Sequence, residues 1–141
     1  MTLRRARVWL GGTWVVLGLL LGVVLFLQTV VFDLYGEQEK VVWDWFTAAV
    51  LPNGVLMLGV LASQAKAARS DVTANSVLFS LAMGTSVIYL LAIGIVIGLM
   101  GIRFSMHPYE SSQLPLQFFQ GFNALLIGAF FGAGQSDEAS P

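Results

Sequence analysis

Five residues inside the apolar stretches of this chain carry what chemistry it has: Pro52, Asn53, Gln117, Gln120 and Asn123. None of them ionises. Proline has no N–H and its ring clashes with the carbonyl four residues back, so a helix through Pro52 is expected to kink or unwind and free the carbonyls of Ala48 and Ala49 beside the Asn53 amide. Broken helices in transporters offer such groups to an ion or solute. The competing use is a hydrogen bond to a neighbouring helix, worth about 0.6 kcal/mol on average. Gln113, Gln117 and Gln120 recur at spacings of four and three, which puts them on one flank of a helix. At 100° per residue Gln117 falls about 40° from Gly121, so the stripe borders a small-residue face and the surrounding half of the protein is expected to be wet. Asn123 lies about 200° from Gly121 on the same projection. It needs its own partner, with Thr85, Ser86 and Tyr89 as candidates.

Reactive groups are missing from this inventory. No serine, histidine and acid set is within reach, no carboxylates are paired in an apolar stretch, and there is no G-x-x-x-x-G-K-[ST] phosphate loop. No enzymatic activity is expected. The lack of a carboxylate inside the apolar stretches also argues against proton-coupled antiport of the kind that depends on one. His107 and Glu110 are two ligands on one loop, a poor metal cage, and no metal or cofactor is expected. The chain has no cysteine and a single histidine, which excludes disulfides, thiol redox chemistry, cysteine-ligated clusters and bis-histidine haem. Net charge is −1, so nothing suggests a nucleic-acid partner.

The elements that must position these groups are helices in a bilayer. Of 141 residues 57% are hydrophobic and 11% charged, against about 25% charged in soluble domains, and the mean hydropathy is +0.79. Four apolar runs, 8–32, 45–62, 77–102 and 114–133, approach or exceed the roughly 20 residues that cross a bilayer. They form one transmembrane domain over 8–133, between a basic N-terminus at 1–7 and a tail at 134–141 expected to be disordered. Arg4, Arg5, Arg7, Lys66 and Arg69 flank one side and Lys40 and Arg103 the other, so both termini are expected in the cytoplasm, in a bacterial-type inner (plasma) membrane. The first run is too long for an ordinary signal peptide and is taken as a retained helix. Lys66 to Asp71 reads as a cytoplasmic connector whose cations meet lipid headgroups. Ser105 to Leu114 reads as an exposed turn on the other side. Asp44 reads as the N-cap of the second helix. Trp9, Trp14, Tyr35, Trp43, Trp45 and Tyr109 read as interfacial anchors and not as a binding cage.

Burying leucine gives helices no reason to associate in lipid, so small residues mark contact faces. Gly11, Val15, Gly18, Gly22, Leu25 and Thr29 form one such series. Ala48, Pro52, Val55, Gly59 and Ala62 form the second. Ser80, Gly84, Val87, Leu91, Gly94, Gly98 and Gly101 form the third, and Gly121, Leu125, Gly128 and Gly132 the fourth. Alternation of four and three is a 3.5-residue repeat. The expected architecture is therefore an all-α membrane protein, four transmembrane helices in an up-down-up-down, left-handed bundle with short loops. The expected role is assembly, as a small subunit or membrane-embedded effector, through a homo-oligomer or a larger membrane complex. The alternative is a minimal channel or transporter for a small ion or neutral solute, lined by Asn53, Gln117, Gln120 and Asn123.

Overall fold

The computed structural model describes residues 2–66, 75–103 and 107–136, and within them the chain is helical with no strand. Four helices are long and apolar enough to cross a membrane: α1 (Leu3–Phe26), α2 (Glu39–Lys66), α3 (Ser76–Arg103) and α4 (His107–Ser136). The connector at 67–74, Ser105, Met106 and the tail at 137–141 lie outside the described residues, as do the surroundings of Gly132.

Local chemistry sets where each helix begins and ends. A π-helical turn, Leu27–Val31, extends α1 and holds the buried Thr29, whose hydroxyl bonds back to Leu25 O at 3.0 Å. The chain then reverses through Asp33 and Gly36, both in the left-handed region (φ 46° and 51°). Aspartate tolerates that conformation and glycine adopts it freely. A 3-10 turn, Gly36–Gln38, leads into α2, with Glu39 in the first turn where a negative charge suits the helix dipole. Asp44 does not cap this helix. It sits inside α2 and accepts a 2.7 Å bond from Lys40 four residues before it. Asn75 caps α3, its Oδ1 accepting from the amides of Val77 (3.1 Å) and Leu78 (3.3 Å).

α4 starts at His107, so most of the expected turn between Ser105 and Leu114 is helical. Hydropathy misses such a start because its residues are polar, while Pro108 is at home in a first turn, where amides have no helical partner anyway. Pro52 does not unwind α2 and Pro115 does not end α4; each lies inside a continuous helix.

The interior faces are made of large and polar residues. On α2 they are Val42, Phe46, Ala49, Asn53 and Met57; on α3, Ala82, Ser86, Tyr89, Ile93, Val96 and Met100. On α4 they are Leu116, Asn123, Ile127 and Phe130, with Gln120 half-buried between them. The spacings still alternate four and three almost throughout, but on α2, α3 and α4 the phase differs from the small-residue series, and on α3 Ser80, Gly84 and Leu91 are exposed. Ala48, Pro52, Val55, Gly59 and Ala62 are all exposed, as are Gly121, Leu125 and Gly128. Hydrocarbon cannot satisfy an amide or hydroxyl, so Asn53, Ser86 and Asn123 decide which face turns inward, and the small residues follow.

Glycine contacts divide accordingly. A Cβ at Gly18 would stand 3.4 Å from Val50, at Gly22 3.7 Å from Phe46, and at Gly94 3.1 Å from Leu21, so these three let α1 approach α2 and α3. Gly59, Gly98 and Gly128 meet nothing within 4 Å. Phe79 packs on Phe130 (5.9 Å between centroids) where α3 meets α4, and Arg7 lies 5.4 Å from the Phe131 ring centroid while donating to Phe131 O at 3.4 Å.

Candidate functional site: a polar cavity over the Pro52 turn

Pro52 deprives Ala48 O of its helical donor; α4 supplies a replacement, and α3 adds a bond to the next carbonyl. Gln120 of α4 donates its Nε2 to Ala48 O at 3.0 Å, and Tyr89 of α3 donates its phenol to Ala49 O at 3.1 Å. These bonds allow α2 to continue through the proline. They also tie three helices together where none of them carries a charge.

Beside these bonds is a cavity of about 200 Å³, lined by Trp45, Ala48 and Ala49 of α2, Tyr89 of α3, and Tyr109, Gln113, Leu116, Gln117 and Gln120 of α4. The glutamine stripe thus lies along one wall. Trp45 and Tyr109 meet edge to face, 5.8 Å between centroids, in a geometry the aromatic quadrupole favours. The lining contains no ionisable carboxylate, lysine, arginine or histidine.

Asn53 and Asn123 are not in that lining. Each is one turn further along its helix, Asn53 four residues past Ala49 and Asn123 three past Gln120, and both are buried, at 5% and 1% exposure. Asn123 Oδ1 accepts from Ser86 Oγ at 3.1 Å and from Thr85 Oγ1 at 3.1 Å. The single Thr85 hydroxyl proton is shared between Asn123 Oδ1 and Leu81 O, the nearer acceptor at 2.8 Å. The third candidate partner, Tyr89, bonds Ala49 instead. The buried donors Asn53 Nδ2, Asn123 Nδ2 and Trp14 Nε1 find no acceptor among the described residues. Trp14 is not an interfacial anchor. It is 1% exposed, and its ring lies 6.1 Å from that of Tyr89.

The four polar residues therefore occupy two places, Gln117 and Gln120 in the cavity, Asn53 and Asn123 in the core beneath it. The core beyond Asn123 holds Ile127 and Phe130, with Met57, Leu10 and Ala82 on the other helices. Among the described residues no three metal-binding side chains come together. Sequence reasoning missed the parts played by Trp14, Trp45 and Tyr109, because an aromatic near a span end serves equally as anchor, core or cavity wall, and it gave Tyr89 the wrong partner.

Asn123→Leu is expected to cost less than about 1 kcal/mol. It loses two bonds of modest worth in a membrane but removes an unpartnered donor, and Thr85 and Ser86 can bond back to their own helix. Asn123→Ala leaves a hole as well and is expected to cost about 1–2 kcal/mol more. Unfolding titrations with sodium dodecyl sulfate would resolve that order, and the reverse order would show that the amide bonds dominate.

No protein-family model matches this chain, nor does any curated protein or solved structure.

Proposed function

We propose that this is a non-enzymatic four-span membrane protein that acts by assembly, as a small subunit or membrane-embedded effector. The observation that carries this reading is the outward placement of small residues. Gly59 on α2, Gly98 on α3 and Gly121 and Gly128 on α4 border open space, where an alanine would meet no neighbour. In aqueous helices alanine is favoured over glycine by about 1 kcal/mol by intrinsic propensity. Glycine in an open position is worth keeping where a second backbone approaches.

In this reading the helices run up, down, up and down as a left-handed bundle with both termini in the cytoplasm of a bacterial-type inner membrane. Contact order supports alternation. Gly18 and Gly22 of α1 approach Val50 and Phe46 of α2 in falling sequence order, whereas Trp14 and Leu21 approach Tyr89 and Gly94 of α3 in rising order. The five-to-two division of Lys and Arg supports the orientation. The partner is a second copy or another membrane subunit, with lipid covering the rest.

Native mass spectrometry from nanodiscs tests the reading. An oligomer or a co-purifying subunit is expected, and Gly128→Leu is expected to shift it to monomer with helix content unchanged. A monodisperse monomer with nothing crosslinked to it in cells would rule the assembly reading out.

A second reading, a minimal channel or transporter for a small ion or neutral solute using Asn53, Gln117, Gln120 and Asn123, is favoured by one observation. The cavity over Ala48 sits directly above core amides with unspent donors. Flux into proteoliposomes that falls in both Gln120→Leu and Asn53→Leu supports it, and flux unchanged in both removes the proposed lining.

A further inference from the structure

We propose that the cavity over the Pro52 turn binds a small organic ammonium group, of the choline or tetramethylammonium type, either as a free solute or as the headgroup of a lipid. The inference builds on the second reading in giving that cavity a ligand. It requires no transport step, so binding without flux would remove transport and leave the site.

Three aromatic side chains on three different helices line one space: Trp45 in the second turn of α2, Tyr89 in the middle of α3 and Tyr109 at the start of α4. Aromatic cages of this composition recognise quaternary ammonium ions, because the ring faces carry negative charge density. The polar part of the lining also offers acceptors to a cation. Gln120 has spent an amide proton on Ala48 O and Tyr89 its only hydroxyl proton on Ala49 O. The Gln120 Oε1 and the Tyr89 phenol lone pairs remain as acceptors, and the second Gln120 amide proton remains as a donor.

Charge and size narrow the class further. No cationic side chain lines the cavity to receive an anion. The stretches around it carry Asp33, Glu37, Glu39, Asp44 and Glu110 against Lys40 and Arg103, and Lys40 is already paired with Asp44. A space of about 200 Å³ is larger than a bare metal ion needs, and there is no carboxylate in it to hold one. A diffuse, weakly hydrated cation with methyl groups suits aromatic and methylene walls and needs no full counter-charge.

The test is saturation-transfer NMR on the intact protein in phosphatidylglycerol nanodiscs, titrated with tetramethylammonium, choline and 3,3-dimethylbutan-1-ol, the uncharged isostere of choline. Both cations are expected to bind about tenfold or more tightly than the isostere, in keeping with a desolvated cation–π contact. Tyr109→Phe keeps the ring and is expected to retain binding, whereas Tyr109→Leu and Trp45→Leu are each expected to lose about tenfold. Both residues are only partly buried at the helix starts, and unchanged circular dichroism identifies the variants that keep the fold. Repeating the titration in phosphatidylcholine separates the sources. Choline binding abolished there assigns the site to a lipid headgroup, and binding retained assigns it to a free solute. Equal affinity for choline and its isostere, or full binding by folded Tyr109→Leu and Trp45→Leu, would overturn the proposal.

Discussion

Trp14→Ala is expected to destabilise the protein by about 2–4 kcal/mol, the largest effect of any single substitution considered. In soluble cores, truncating a buried tryptophan costs about 3–5 kcal/mol, part of it the transfer of apolar surface out of water. In a bilayer that transfer contributes little, because the alternative environment is also hydrocarbon. What remains is lost packing and the hole left behind. Trp14 lies at the centre of the bundle against Tyr89, and Tyr89 in turn bonds the α2 backbone at Ala49, so the hole loosens three helices together. Trp14→Phe separates the ring from its polar edge. It keeps most of the packing and deletes an indole N–H that has no acceptor, so it is expected to cost less than about 1 kcal/mol. Reversible unfolding in sodium dodecyl sulfate gives both values. A loss in Trp14→Phe equal to that in Trp14→Ala would mean that the N–H, not the ring, holds the site together.

Gly101→Ala is expected to cost about 1–2 kcal/mol, for a reason specific to its neighbour. A Cβ there would collide with the Gln28 amide. The end of a glutamine side chain can usually move aside, but this one is pinned: Nε2 donates to Ile97 O at 3.3 Å and Oε1 accepts from the Tyr35 hydroxyl at 2.6 Å. Displacing it costs those two bonds. Burial also pushes the Tyr35 phenol above the usual tyrosine range. A displaced Gln28 opens that environment, so absorbance titration is expected to move the phenol back towards its ordinary value. Combining Gly101→Ala with Gln28→Ala is expected to cost less than the sum of the two single changes, since the second removes what the first collides with. Strict additivity would show that the two residues do not interact.

How much of this was legible in the sequence depends on what each signal measures. Apolar runs located all four helices, because a bilayer demands them at that length. They placed the starts of α2 and α4 late, at Trp45 and Leu114 instead of Glu39 and His107, since polar residues in a first turn are invisible to hydropathy. The helical spacing of Gln113, Gln117 and Gln120 put them on one flank, and they share a cavity wall. Thr85 and Ser86 were nameable as partners of Asn123 because few other polar groups exist at that depth. Small-residue spacing could not tell an inward from an outward face. On α2 and α4 Asn53 and Asn123 turn inward, and Gly59, Gly121 and Gly128 lie outward. The bonds from Gln120 and Tyr89 to the carbonyls before Pro52 were beyond reach, because they depend on how three helices are phased against one another.

In the proposed assembly α4 presents Gly121 and Gly128 outward to the partner while Asn123 and Ile127 turn into the bundle. The chain has no cysteine of its own, so single cysteines can be placed without background. Oxidative crosslinking in native membranes of Gly121→Cys, Gly128→Cys, Asn123→Cys and Ile127→Cys puts the claim to its most direct test. Disulfide-linked dimers at 121 and 128, with none at 123 and 127, are the predicted result. Dimers at 123 and 127 would contradict it, and dimers at none of the four positions would rule out a second copy on this face.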